Sequence, residues 1–221
     1  MNAVFRTIAR GMHALLDAIL PLRARSARTK ARKPEDFLLA PTTHELLGTT
    51  IVTLMDYREQ SVQDLIRALK YDRSQHAASI AATLLAEYLL EEISSHKIFS
   101  QKSILLIPVP LHASRARERG FNQISIVLDA LPDDFKSGAS ATLVPHALVR
   151  SRETKQQTRL HRSERLSNVA GAFAVPDPAL VKDSHVFLID DVTTTGATLV
   201  NAATPLRRAG ATVTLIALAR A

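Results

Sequence analysis

The chain has no cysteine and no tryptophan, and aromatic residues make up only 5% of it. Without cysteine there are no disulfides and no thiolate metal sites, which suits a reducing compartment. So few aromatics weigh against a sequence-general binder of single strands built on stacking platforms. No apolar run reaches the roughly 20 residues needed to span a bilayer. Near the N-terminus His13 and Asp17 interrupt the apolar residues, so that stretch does not read as a secretory signal. The expectation is a cytoplasmic protein. What the chain does have is apolar material, 46% of 221 residues, enough for the core of one large domain with or without an appendage.

The formal charge of +7 is concentrated at one end. Residues 1–33 carry eight basic side chains (Arg6, Arg10, Arg23, Arg25, Arg28, Lys30, Arg32 and Lys33) against Asp17 alone, while the remainder is balanced. Within this leader Val4, Phe5, Ile8, Met12, Leu15, Leu16, Ile19 and Leu20 fall at helical spacing, which predicts an amphipathic helix ending near Pro21. A basic, mobile linker to Pro34 follows. The helix suits the periphery of a membrane, a partner protein, the domain's own sheet, or a second subunit in a homodimer, and the basic charge suits nucleic acid or anionic lipid. A solvated tether explains the charge equally well.

From residue 48 to 221 apolar strands alternate with helices. Strands are expected at 49–57, 104–109, 142–149, 186–189 and 212–219, and helices at 61–70, 75–92, 121–131 and 195–209. This pattern predicts an α/β domain with a mainly parallel sheet covered by helices. The polar stretch 150–168 reads as a flexible loop.

The segment Val186-Phe187-Leu188-Ile189-Asp190-Asp191-Val192-Thr193-Thr194-Thr195-Gly196-Ala197-Thr198 carries the chemistry. A buried strand delivers two carboxylates to its carboxyl end, where ligands dock in open parallel sheets. A Thr- and Gly-rich turn then opens a helix, whose amides and dipole favour a phosphate. Gly196 is expected to let the backbone approach the anion closely. Carboxylates repel phosphate, so Asp190 and Asp191 suit sugar hydroxyls, and they are expected to face solvent. The plainer reading of the same residues is a helix capped by Thr behind two solvated acids.

This run closely resembles the phosphoribosyl diphosphate signature of type I phosphoribosyltransferases. The resemblance implies that Asp190 and Asp191 hold ribose while Thr193, Thr194, Thr195, Gly196, Ala197 and Thr198 surround the 5′-phosphate. Two further stretches resemble the family of the competence protein ComF. One is Ile107-Pro108-Val109-Pro110-Leu111-His112 with Arg119-Gly120-Phe121-Asn122-Gln123; the other is Arg150, Thr154, Gln157, Leu160, Arg165, Asn168, Gly171, Ala172 and Phe173. Leu69-Lys70-Tyr71 matches a third element of that family, and the whole resemblance covers roughly 50–220. It implies a type I phosphoribosyltransferase fold and phosphoribosyl diphosphate as ligand, with Mg²⁺ carried by the diphosphate. Pro108, Val109, Arg119, Asn122 and Gln123 become candidates for the pyrophosphate, and Arg150, Arg152, Thr154, Gln157 and Arg165 for a closing lid. Family members commonly begin with a Cys-rich zinc module; this chain has no Cys, so zinc is not expected.

Two functions stay open at this stage. One is transfer of a phosphoribosyl group to an acceptor the sequence does not define, in connection with DNA uptake. The other is a non-catalytic protein of transformation that binds single-stranded DNA or couples competence proteins. Among the remaining candidates, Arg115 and Arg117 rank behind Arg119, and His112 and His161 lack a visible partner for general-base work. His76, His96, His146 and His185 show no metal-ligand spacing.

Overall fold

A computed structural model describes residues 28–111, 119–150 and 171–221. The leader helix, His112, Arg115, Arg117, Arg152, Thr154, Gln157, His161 and Arg165 lie outside these residues.

Six strands form the main sheet: β1 (Thr42–Leu46), β2 (Thr49–Asp56), β3 (Ile104–Pro108), β4 (Thr142–Leu143), β7 (His185–Thr193) and β8 (Thr212–Arg220). Their order is β1-β2-β8-β7-β3-β4, antiparallel only between β1 and β2. The two-residue strands β5 (Val149–Arg150) and β6 (Phe173–Ala174) make a separate antiparallel ribbon. Helices α1 (Gln60–Tyr71), α2 (Gln75–Phe99) and α3 (Gln123–Asp129) share one apolar cluster with Phe187 and Ile189 of β7. Helix α4 (Ala197–Arg208) and the β5–β6 ribbon share a second cluster with Val186 and Leu188. Neighbouring strand residues point to opposite faces, so one strand feeds both cores, and a wholly apolar β3 is buried at every position. The mainly parallel α/β sheet expected from the sequence is therefore present.

Several boundaries differ for physical reasons. Hairpin strand β1 was not expected; its turn places Leu47 and Gly48 at φ 53° and 66°. Positive φ at both central residues is the two-residue turn usually signalled by Asn-Gly or Gly-Gly, and Leu gives no such signal. The sheet consequently begins at Thr42, ahead of residue 48. The strand expected over 142–149 divides into β4 and β5, because Pro145 cannot donate to a sheet ladder. Helix α2 runs on to Phe99 instead of stopping at 92, and α3 covers only Gln123–Asp129. Strand β7 continues past Ile189 through both acids to Thr193, since β8 offers partners up to Arg220.

The basic linker also differs where it is described. Thr29 and Phe37 are buried, Arg32 lies 3.9 Å from Asp64, and His76 bonds the Arg32 carbonyl at 2.9 Å. Residues 29–37 thus lie against α1 and α2.

Candidate functional site

Because β2, β8, β7 and β3 run parallel, their carboxyl ends meet along one edge, and Asp190 and Asp191 stand at its centre. The two acids face opposite ways. Asp191 is 6% exposed and points toward α1 and α3. Its Oδ2 accepts from Lys70 Nζ at 3.1 Å and from Gln123 Nε2, and its Oδ1 accepts from the Val192 amide. Asp190 is partly exposed on the α4 face and accepts from the Asp191 amide at 2.9 Å. The expectation that both carboxylates face solvent is corrected for Asp191: a charge that deep needs a partner, and Lys70 at the end of α1 supplies one.

Around Asp191 three separated stretches converge. Gln123 uses its amide N–H on Asp191 and its oxygen to accept from Arg119 Nη1 at 3.4 Å. The Arg119 guanidinium lies 5.4 Å over the Tyr71 ring, next along the chain from Lys70. Asn122 caps α3 by accepting from the Ile124 amide at 3.0 Å and donates to the Val109 carbonyl at 3.0 Å. Val109 in turn donates its amide to Ile189 at 2.9 Å, and Pro108 pairs with Ile189 in register, so the end of β3 is tied to the strand bearing the acids.

Beyond Thr193, itself buried, the chain makes a three-residue turn into α4. Thr194 is exposed, and Thr195 and Thr198 are partly exposed. Thr195 Oγ1 lies 3.5 Å from the Ala197 amide, a long capping contact, and the helix ladder starts with Val200 donating to Gly196 at 3.0 Å. The amides of the first turn have no acceptor within the helix, which leaves donors and a positive dipole end beside the acids. Gly196 has φ 77°, and a Cβ there would come within 2.5 Å of Ile51 Cδ1 and 3.1 Å of Leu46 Cβ. The glycine is demanded by left-handed backbone and by packing on the β1–β2 hairpin, where the sequence suggested close approach to an anion.

No protein-family model matches the chain. The DNA utilization protein YhgH of Escherichia coli O6:H1 is 32% identical over 199 residues, covering 85% of this chain and 83% of that protein. The chain belongs to the ComF family. Competence protein ComFC of Streptococcus pneumoniae is 27% identical over 152 residues, 69% of this chain and 60% of that protein. ComFC of Bacillus subtilis is 34% identical over 103 residues, 47% and 38% of the respective chains. Among solved structures the ComF-family chain is similar to an orotate phosphoribosyltransferase of Mycobacterium tuberculosis, with TM-score 0.36 and 13% identity over 87% of this chain and 81% of that one.

The remaining ComF-motif candidate that can be placed is Arg150. It sits on β5 with its guanidinium 5.1 Å over the Phe173 ring, and the ribbon packs on the α4 side of the sheet, the side Asp190 faces. The other lid candidates lie outside the described residues. Among the described residues no three His, Asp or Glu gather as metal ligands, and no helix is long and apolar enough to cross a membrane.

Sequence reading missed one group that meets the acids, Lys70, and one long-range contact at the end of β8, that of His44 with Arg220. Lys70 was legible as part of a motif but not as the partner of Asp191. His44 and Arg220, joined by a hydrogen bond across 176 positions, gave no signal at all. A contact between residues so far apart is made by strand order alone.

Proposed function

We propose that this protein binds phosphoribosyl diphosphate and transfers its phosphoribosyl group to an acceptor. The carrying observation is that Asp190, the Thr194–Gly196 turn and the first amides of α4 meet at the carboxyl edge of β7. On this reading the 5′-phosphate lies on the turn and the amides, with Thr194 and Thr198 adding hydroxyl donors. Asp190 accepts from a ribose hydroxyl. Asp191 is held by Lys70 and Gln123 and sets the strand end rather than swinging toward ligand.

The donor set suits Mg²⁺ arriving on the ligand. Few protein carboxylates are available to it, and Mg²⁺ keeps much of its water while binding phosphate oxygens. Arg119 and the basic groups of 150–165 would neutralise the diphosphate. Because the departing pyrophosphate leaves a cation-like sugar, catalysis would come from positioning and fixed electrostatics, with no covalent nucleophile.

Calorimetric titration with phosphoribosyl diphosphate and Mg²⁺ tests the reading. Asp190→Asn should weaken binding at least about tenfold, the loss of one charge-assisted hydrogen bond. Unchanged affinity in that variant refutes the assignment. A screen of nitrogen bases for pyrophosphate release then identifies the acceptor.

The names of the relatives favour a second reading, in which the same protein serves DNA uptake or utilization by holding single-stranded DNA. Its eight basic residues within 1–33 support phosphate contacts. Such binding should fall steeply with added salt, and no binding at low salt dismisses it.

A further inference from the structure

The residues just ahead of the sheet are attached in two unequal halves. Pro34–Asp36 forms one tight helical turn, closed by the Lys33 amide donating to Asp36 Oδ2 at 2.8 Å. Phe37 then joins the apolar cluster of α1 and α2, and the Ala40 amide donates to the Leu54 carbonyl at 2.9 Å. This half is a firm footing. Residues 28–32 lie ahead of it and hold on mainly through Arg32. Its guanidinium sits 6.0 Å from the centre of the Phe37 ring and 3.9 Å from Asp64, and its carbonyl accepts from His76 Nε2 at 2.9 Å.

Two buried polar atoms beneath and within this segment are left short. Asp64 Oδ1 accepts from Gln60 Nε2 at 2.9 Å, whereas Oδ2 has no hydrogen bond among the described residues and only Arg32 at ion-pair distance. Thr29 Oγ1 is buried and likewise has no hydrogen-bond partner among those residues. Lifting 28–32 away returns the Thr29 hydroxyl to water and admits water to Asp64. An opening that restores hydrogen bonds costs less than one that only breaks them, so this segment is poised to move by itself about the Pro34 turn.

Helix α1 joins that contact to the candidate site. Asp64 and Lys70 lie on the same helix, about 9 Å apart along its axis, and Lys70 is the group that holds Asp191. Between them Leu65, Ile66, Ala68 and Leu69 are wholly buried, so close packing makes this stretch shift as one body. Releasing Arg32 leaves a buried carboxylate without its cation. A shift of α1 that lets water reach Asp64 relieves this, and the same shift disturbs the seat of Lys70 on Asp191.

We propose that residues 28–32 are a releasable strap, and that strap closure and ligand binding at the end of β7 favour one another through α1. This rests on the reading of β7 as a phosphoribosyl diphosphate site. Ligand requires the strand end that Lys70 and Asp191 hold in place. A firmly seated α1 presents Asp64 to Arg32, and the strap closes. Occupancy of the site is thereby passed to the basic leader that the strap joins, and linkage makes the effect reciprocal.

Because the chain has no cysteine, a single thiol can report the strap. The 221-residue chain carrying Thr29→Cys is labelled with a thiol reagent, with Ser95→Cys, exposed on α2, as the reference for an open thiol. Thr29→Cys should label at least about tenfold more slowly than the reference, at a rate flat in low denaturant, as local opening requires. Saturating phosphoribosyl diphosphate with Mg²⁺ should slow it about fivefold further, a modest coupling. Adding Arg32→Gln should speed labelling about tenfold and weaken ligand binding about fivefold, while Arg32→Lys, which keeps the charge, should restore most of both. A labelling rate that climbs with denaturant in step with global unfolding, or that ignores Arg32→Gln, overturns the strap. If the ligand binds yet leaves the rate unchanged, the coupling falls and the β7 reading stands. If the ligand does not bind at all, the β7 reading falls and takes the coupling with it.

Discussion

Asp190 and Asp191 are chain neighbours of the same type, yet the fold treats them differently. Asp191 turns into the side of the sheet covered by α1, α2 and α3, where Lys70 and Gln123 meet it. Asp190 turns to the side of α4 and keeps part of its surface in solvent. The alternation of a β-strand imposes the divergence, and the helices packed on each face decide what it means. One carboxylate is fastened into the strand end by Lys70 and Gln123, while its neighbour lies partly exposed on the opposite face.

Four perturbations sharpen or break this contrast. The largest effect is expected from Lys70→Met, which strands the Asp191 carboxylate in a buried position and should cost about 3 kcal/mol of stability in denaturant unfolding. A loss below about 1 kcal/mol would place Asp191 among ordinary surface acids. Next comes Gly196→Ala, expected to cost about 2 kcal/mol through its positive φ, with added strain against Ile51. A neutral outcome in thermal unfolding would show that the turn adopts another backbone.

The third test uses the far end of the same strand. His185 is buried, bonds Thr214 Oγ1 at 3.0 Å, and lies 3.8 Å ring to ring from His96. Burial, helped by the charges of His96 and Lys102, pushes its pKa down to about 4. The unfolded chain takes up this proton near pH 6.5, whereas the folded one resists until about pH 4. Stability should therefore decline as pH falls through that window, by up to about 1.4 kcal/mol per pH unit from this group. His185→Gln should flatten the decline, and an unchanged slope in pH-dependent unfolding would contradict it.

The smallest change is reserved for Asp190→Asn, whose stability loss should stay within about 1 kcal/mol despite its effect on ligand affinity. A loss as large as that of Lys70→Met would erase the distinction between the two acids.

The apolar runs of β3, β7 and β8 and the periodic helices were legible because burial on both faces leaves continuous hydrophobic stretches. The acids and the Thr-Gly turn were legible because they are contiguous. Strand β1 was not, since Leu47 hides a turn that needs positive φ, and Pro145 was overlooked as the break between β4 and β5. Local sequence thus set the parallel sheet and the identity of the residues at the end of β7. Only the tertiary structure decided which acid is buried, why Gly196 must be glycine, and that His44 meets Arg220. Each of those depends on which strands lie side by side, an arrangement made by long-range packing and invisible to any window along the chain.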